Sequence, residues 1–126
     1  MAAQSEVISF TPNPTGNKTL SLNGTFTPST LLLWAGPRSS TTETIDLNSI
    51  GAIDIPNALN TGQSNFDDST GKQTKTSNTE FTHYNRVSGT ITKVIAITGV
   101  SAAAGSVTVN VGTANSSYTV YGIAIA

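Results

Sequence analysis

At 126 residues the chain is long enough for one domain with a real core and short for two. Six basic and seven acidic residues, for a net charge of -1, are scattered along it, so no basic patch points to nucleic acid as a partner. Ser, Thr and Asn supply 47 residues (15, 21 and 11), the material of strands and turns, and the Glu/Lys/Ala runs of surface helices are missing.

The first strand-like run is Glu6 to Phe10, stopped by the Pro- and Gly-rich Thr11 to Gly16. Lys18 to Leu22 follows, with Leu20 and Leu22 on one face, and Asn23-Gly24 marks a tight turn. Beyond Phe26-Thr27-Pro28, the run Ser29 to Ala35 is apolar on both faces, as a covered central strand would be. Trp34, the single tryptophan, is expected in the core or packed between sheets.

Gly36 to Asn78 is a different material, broken by Pro37, Pro56, Gly51, Gly62 and Gly71. Residues 37–79 are accordingly expected to form a long irregular loop or arm. Two readings stay open for it. Short strands at Thr44 to Leu47 and Ala52 to Ile55 would complete a sheet. Alternatively, Ile45, Leu47, Ile50, Ile53, Ile55 and Leu59 form an apolar patch buried against a neighbouring subunit.

The last third is cleaner. Ile91 to Thr98 and Ser106 to Val111 are strands, linked by Ser101 to Gly105, which has room for one helical turn. Val107, Val109 and Val111 alternate inward. Tyr118 to Ile125 closes the chain, with Tyr121, Ile123 and Ile125 on one face. These signals predict an all-β fold, a single antiparallel β-sandwich over 1–126 that is jelly-roll-like. The expected core is Leu20, Leu22, Leu31, Leu33, Val94, Val107, Val109, Val111, Tyr121, Ile123 and Ile125.

Chemistry is sparsely provided. With one histidine and no cysteine, a triad would have to use His83, and no nucleophile elbow accompanies it. His83 is expected to be a strand histidine at a surface or interface. No sequence argument pairs any two of the seven carboxylates across a cleft. Asn65 to Gly71 could offer oxygens to calcium but lacks the spaced acids of an EF-hand and reads better as a turn. No catalytic, cofactor or metal residue is therefore assigned. Tyr84 and Tyr118 are the candidate ligand contacts. The longest apolar run, Leu31 to Ala35, is too short to cross a bilayer as a helix, so no membrane is expected. Met1 to Glu6 lacks the marks of a secretory signal, so export by the usual route is not expected.

Gly16 to Gly36, a Thr-rich strand followed by Phe26-Thr27-Pro28 and the apolar Leu31-Leu32-Leu33-Trp34-Ala35, resembles small structural proteins of tailed bacteriophages. The hairpin from Val107-Thr108-Val109-Asn110-Val111 to Tyr118–Ile125 is similar to the closing hairpin of such proteins. The resemblance implies a non-enzymatic structural protein located in the virion, most simply a capsid decoration protein contacting major capsid or tail proteins, and the apolar patch at Ile45 to Leu59 adds the expectation of a homo-oligomer, most simply a trimer. The alternative is a tail-fibre or receptor-binding module that contacts host glycans.

Overall fold

The computed structural model describes residues 4–36, 48–68, 71–87 and 90–126. Ten strands run in chain order: β1 (Ser5–Phe10), β2 (Gly16–Ser21), β3 (Thr30–Ala35), β4 (Asn48–Asp54), β5 (Leu59–Asp68), β6 (Gly71–Ser77), β7 (Phe81–Val87), β8 (Thr90–Ala103), β9 (Ser106–Thr113) and β10 (Val120–Ile125). Among the described residues there is no helix.

The strands form two antiparallel sheets, one of six in the order β1-β10-β3-β4-β5-β6 and one of four in the order β2-β9-β8-β7. Their inner faces share one core. The larger sheet contributes Ile8, Phe10, Leu31, Leu33, Ile53 and Val120, and the smaller contributes Phe81, Ile95, Ile97, Val107, Val109 and Val111. This is a β-sandwich, held mainly by apolar area removed from water between the sheets. The strand order is not that of a jelly roll throughout. β10 does sit between β1 and β3, but β3 to β6 is a plain meander in one sheet and β7 to β9 a plain meander in the other.

The middle of the chain departs most from expectation. Instead of an irregular arm, residues 48–54, 59–68 and 71–77 form three consecutive strands that extend the larger sheet. The signal was weak because Leu59 and Phe66 are the only large apolar residues of β5 and β6, so no apolar alternation marks them. The expected strand at 44–47 lies outside the described residues, and the one at Ala52 to Ile55 is met by the end of β4, with Ile55 in the turn that follows. Asn65 to Asp68 continues β5, and Asp68 pairs with Gly71 at the start of β6.

The Ser101 to Gly105 link holds no helical turn. β8 runs on to Ala103, and Ala104-Gly105 makes a two-residue hairpin turn with Gly105 at φ +76°. The tip of this hairpin is tied down, since Leu22 N–H donates to Gly105 O at 2.9 Å and Gly105 N–H donates to Phe26 O at 3.0 Å. β8 is also irregular, with register shifts against β9 around Ile97. Such bulges turn successive side chains the same way, and Val94, Ile95, Ala96 and Ile97 are all buried.

β10 reverses its expected faces. Val120 and Ala124 point into the core, while Tyr121 is 45% exposed and Ile123 and Ile125 lie on the outer side. The strand is central, and Ile8 and Leu33 press on its inner side. A Cβ on Gly122 would come within 2.8 Å of Leu33 Cδ2, so small residues are required inside and the bulky ones go out.

Candidate functional site

The two outer faces of the sandwich are unlike. On the four-stranded sheet, Thr19 and Thr108 hydrogen-bond across β2 and β9 at 2.8 Å. Asn110 Nδ2 donates to Asn17 Oδ1 at 2.8 Å, and Thr98 Oγ1 donates to Asn110 Oδ1 at 2.7 Å. Hydroxyls and amides satisfy one another there and remain open to water.

The six-stranded sheet presents the opposite chemistry. Its register aligns Ser9, Tyr121, Trp34, Ile50, Gln63 and Thr76 in one row across all six strands. A second row holds Val7, Ile123, Leu32, Ala52 and Thr61. Neither row contains a charged residue. Val7 is 70% exposed, Ile50 61% and Trp34 38%, so bulky apolar groups stand in water. The ring of Trp34 stacks on Tyr121 at 6.2 Å between centroids. Between β3 and β6 this face is hollowed into a groove of about 610 Å³ lined by Leu32, Trp34, Ile50, Ala52, Thr61, Gln63 and Thr76, among others. Soluble chains rarely leave so continuous an apolar face uncovered.

Trp34 was expected in the core and instead lies on this outer face, because Leu31, Leu33 and Ala35 take the inner positions of β3. The sequence of β3 could not decide this, since both of its faces are apolar.

The candidate subunit patch is divided by the fold. Ile50 and Leu59 are exposed on the larger sheet, at 61% and 55%. Ile53 is a core residue at 1% exposure, and Ile55 packs partly against the core, so those two cannot serve an outer contact. Alternation along β4 turns Ile53 to the opposite face from Ile50. Ile45 and Leu47 lie outside the described residues.

The candidate ligand contacts divide likewise. Tyr84 is half-buried on β7, with Lys75 Nζ 5.0 Å from its ring centre. Tyr118 is 2% exposed and is no surface contact. It lies in the crossing from β9 to β10, where its hydroxyl accepts from Asn85 Nδ2 at 2.5 Å.

His83 is also buried, contrary to the expected surface position. A bulge between His83 and Tyr84 lets β7 turn successive polar groups toward the interior. His83 Nδ1 lies 2.6 Å from Ser49 Oγ, Ser49 Oγ donates to Ser64 Oγ at 2.8 Å, and Tyr84 N–H donates to Ser64 Oγ at 3.0 Å. Because Ser49 gives its one proton to Ser64, Nδ1 carries the ring proton and donates to Ser49. Nε2 is then a bare acceptor, buried without a hydrogen-bond partner among the described residues, beside the Tyr118 ring at 5.1 Å between centroids. Burial holds the His83 pKa down to about 4, so the ring is neutral at pH 7.

Ser49 and His83 are close enough for a nucleophile and its base, but both are buried, and among the described residues no third group orients the ring. The network joins the sheets rather than opening to a substrate. Sequence reading missed it because its members are far apart in the chain and Ser is too common here to stand out.

Elsewhere, Glu6 accepts from Asn23 N–H and then Gly24 N–H, and these bonds hold its carboxyl below the usual range while fixing the Asn23-Gly24 bend. Lys93 and Glu80 pair at 2.5 Å, which raises the lysine pKa. Among the described residues, no group of three or more acidic or histidine side chains could hold a metal ion. No family model matches the chain, and comparison with curated proteins and with solved structures finds no match either.

Proposed function

We propose that this chain is a non-enzymatic structural protein of a phage virion, a capsid decoration protein that sits among other virion proteins through its β surfaces. The observation that carries this reading is the apolar face of β1, β10, β3 and β4, uncharged along its two aligned rows, opposite a face of self-satisfied hydroxyls and amides. One face suits contact and the other suits water. The likeness of 16–36 to small phage structural proteins supplies the setting; the expected closing hairpin does not form, since β9 and β10 lie in different sheets. The inaccessible Ser49-His83 pair supports a role without catalysis.

One observation favours a receptor-binding module instead. The stacked rings of Trp34 and Tyr121 are open to water, and exposed aromatic faces accept the apolar faces of sugars.

The test is to express the chain with the capsid protein encoded beside it, and separately to offer the labelled chain to host cells. Decoration predicts co-sedimentation with empty shells, a higher shell melting temperature and unlabelled cells. Cell labelling competed by soluble glycan and lost in Trp34→Ala would reverse the ranking.

A further inference from the structure

The apolar face of the larger sheet is too extended to be left in water, and its features indicate what covers it. We propose that it pairs with the same face of a second copy of this chain, sheet against sheet, about a two-fold axis. The proposal rests on the reading of this face as an assembly surface and names its occupant.

Charge is the first argument. An isologous contact sets a patch against its own copy, so a patch of one charge repels itself. The two rows across this sheet hold no Lys, Arg, Asp or Glu, and the nearest acid on that side, Asp54, is already bonded by Asn57 Nδ2 at 2.8 Å. Along those two rows no charge meets its own copy, and the carboxylate of Asp54 lies one row beyond them.

Shape is the second. At one edge of the face Val7 on β1 stands 70% exposed beside the strand of Tyr121, and toward the other, between β3 and β6, the face is hollowed into the groove. A two-fold axis along the strands lays the exposed Val7 edge of each copy over the grooved end of the other. Residue i then meets residue j and j meets i, as a closed dimer requires.

Area is the third. Six strands about 4.8 Å apart and about six residues long at roughly 3.3 Å each present roughly 560 Å² per copy. The pair would bury about 1,100 Å², which clears the roughly 1,000 Å² expected of a specific interface. The opposite face of the sandwich has comparable reach but is occupied by its Thr and Asn ladder, which is as well satisfied in water.

The experiment is sedimentation equilibrium of the full chain over a wide concentration range, with Trp34 emission read on the same samples. Trp34 is the only tryptophan, so the signal reports this face alone. A dimer is expected, with emission moving to longer wavelength as dilution exposes the ring. Ile50→Lys and Val7→Lys, on different strands and both solvent-facing, should each weaken the dimer roughly tenfold or more. Ser101→Lys on the other sheet should leave it unchanged. Circular dichroism identifies any variant that fails to fold, and the second lysine then decides. A monomer at every concentration, a trimer, or a dimer indifferent to both lysines overturns the proposal. A monomer that binds shells and loses that binding with Ile50→Lys would overturn the pairing and leave the proposed function standing. A dimer that ignores shells would do the reverse.

Discussion

His83 Nδ1 lies 2.6 Å from Ser49 Oγ, a hydrogen bond that joins β7 of the smaller sheet to β4 of the larger through the interior of the sandwich. Elsewhere the sheets meet through Val, Ile, Leu and Phe, which bind without direction. At this end, small polar residues meet with fixed partners, so the bond sets how β7 lies across β4 and β5. Polar contacts of this kind stabilise only while every member keeps its partner.

Acid should release this contact. His83 titrates near 6.5 in the unfolded chain and at about 4 in the folded one. Between those values the unfolded chain takes up the proton and the folded chain does not, so stability falls as pH falls from about 6.5 toward 4. The contribution is fully present above that window, and its loss amounts to about 3 kcal/mol. Urea midpoints at pH 8, 6.5, 5 and 4 measure it. The same series in His83→Gln should be flatter, and an equal slope in the variant would show that another group is responsible.

Ser64→Ala should cost about 2–3 kcal/mol, since Tyr84 N–H and Ser49 Oγ–H both lose this buried acceptor. If Ser49 turned its proton to His83 Nδ1, the ring proton would move to Nε2, which has no partner among the described residues either. Ser64→Thr retains the hydroxyl but adds a methyl group to a fully buried site, so it should recover only part of the loss in a denaturant melt.

The sequence was legible where residues met the usual rule that apolar means inside. Val107, Val109 and Val111 alternate into the core as expected, and so do Leu31 and Leu33. It misled where the outer face is itself apolar, as at Trp34 and Tyr121, because alternation gives a period but not which side is wet. It was silent on β5 and β6, whose polar residues pair through backbone bonds that no side-chain pattern announces. The Ser49-Ser64-His83 network was out of reach for a further reason. It depends on the pairing of β4 with β5 and on β7 crossing over them, and both are long-range facts.

Gly62 allows that crossing. A Cβ there would lie 2.9 Å from Glu80 O, 3.1 Å from Phe81 Cα and 3.3 Å from Thr82 N, all backbone atoms of the segment entering β7. Backbone cannot swing aside as a side-chain end can, so Gly62→Ala must lift β7 from the larger sheet. The expected loss is about 2–3 kcal/mol. Because the displaced strand carries His83, the variant's acid sensitivity should also shrink. A variant as stable as the parent would mean that β7 does not lie so close to β5.

The last prediction sets two strand residues against each other. Val109 is fully buried on β9, and Val109→Asp would place an unpaired carboxylate in the shared core, costing about 4 kcal/mol or more. Tyr121 has the same strand periodicity and similar apolar neighbours, yet it is 45% exposed on the outer face. Tyr121→Asp should therefore lower folding stability by only about 1 kcal/mol, mostly through the lost stack on Trp34. If self-association uses that face, the second variant should be folded and monomeric, whereas the first should be unfolded. Urea melts and sedimentation of both proteins separate the outcomes. Unfolding by Tyr121→Asp to the same extent as by Val109→Asp would return β10 to the orientation its sequence suggests.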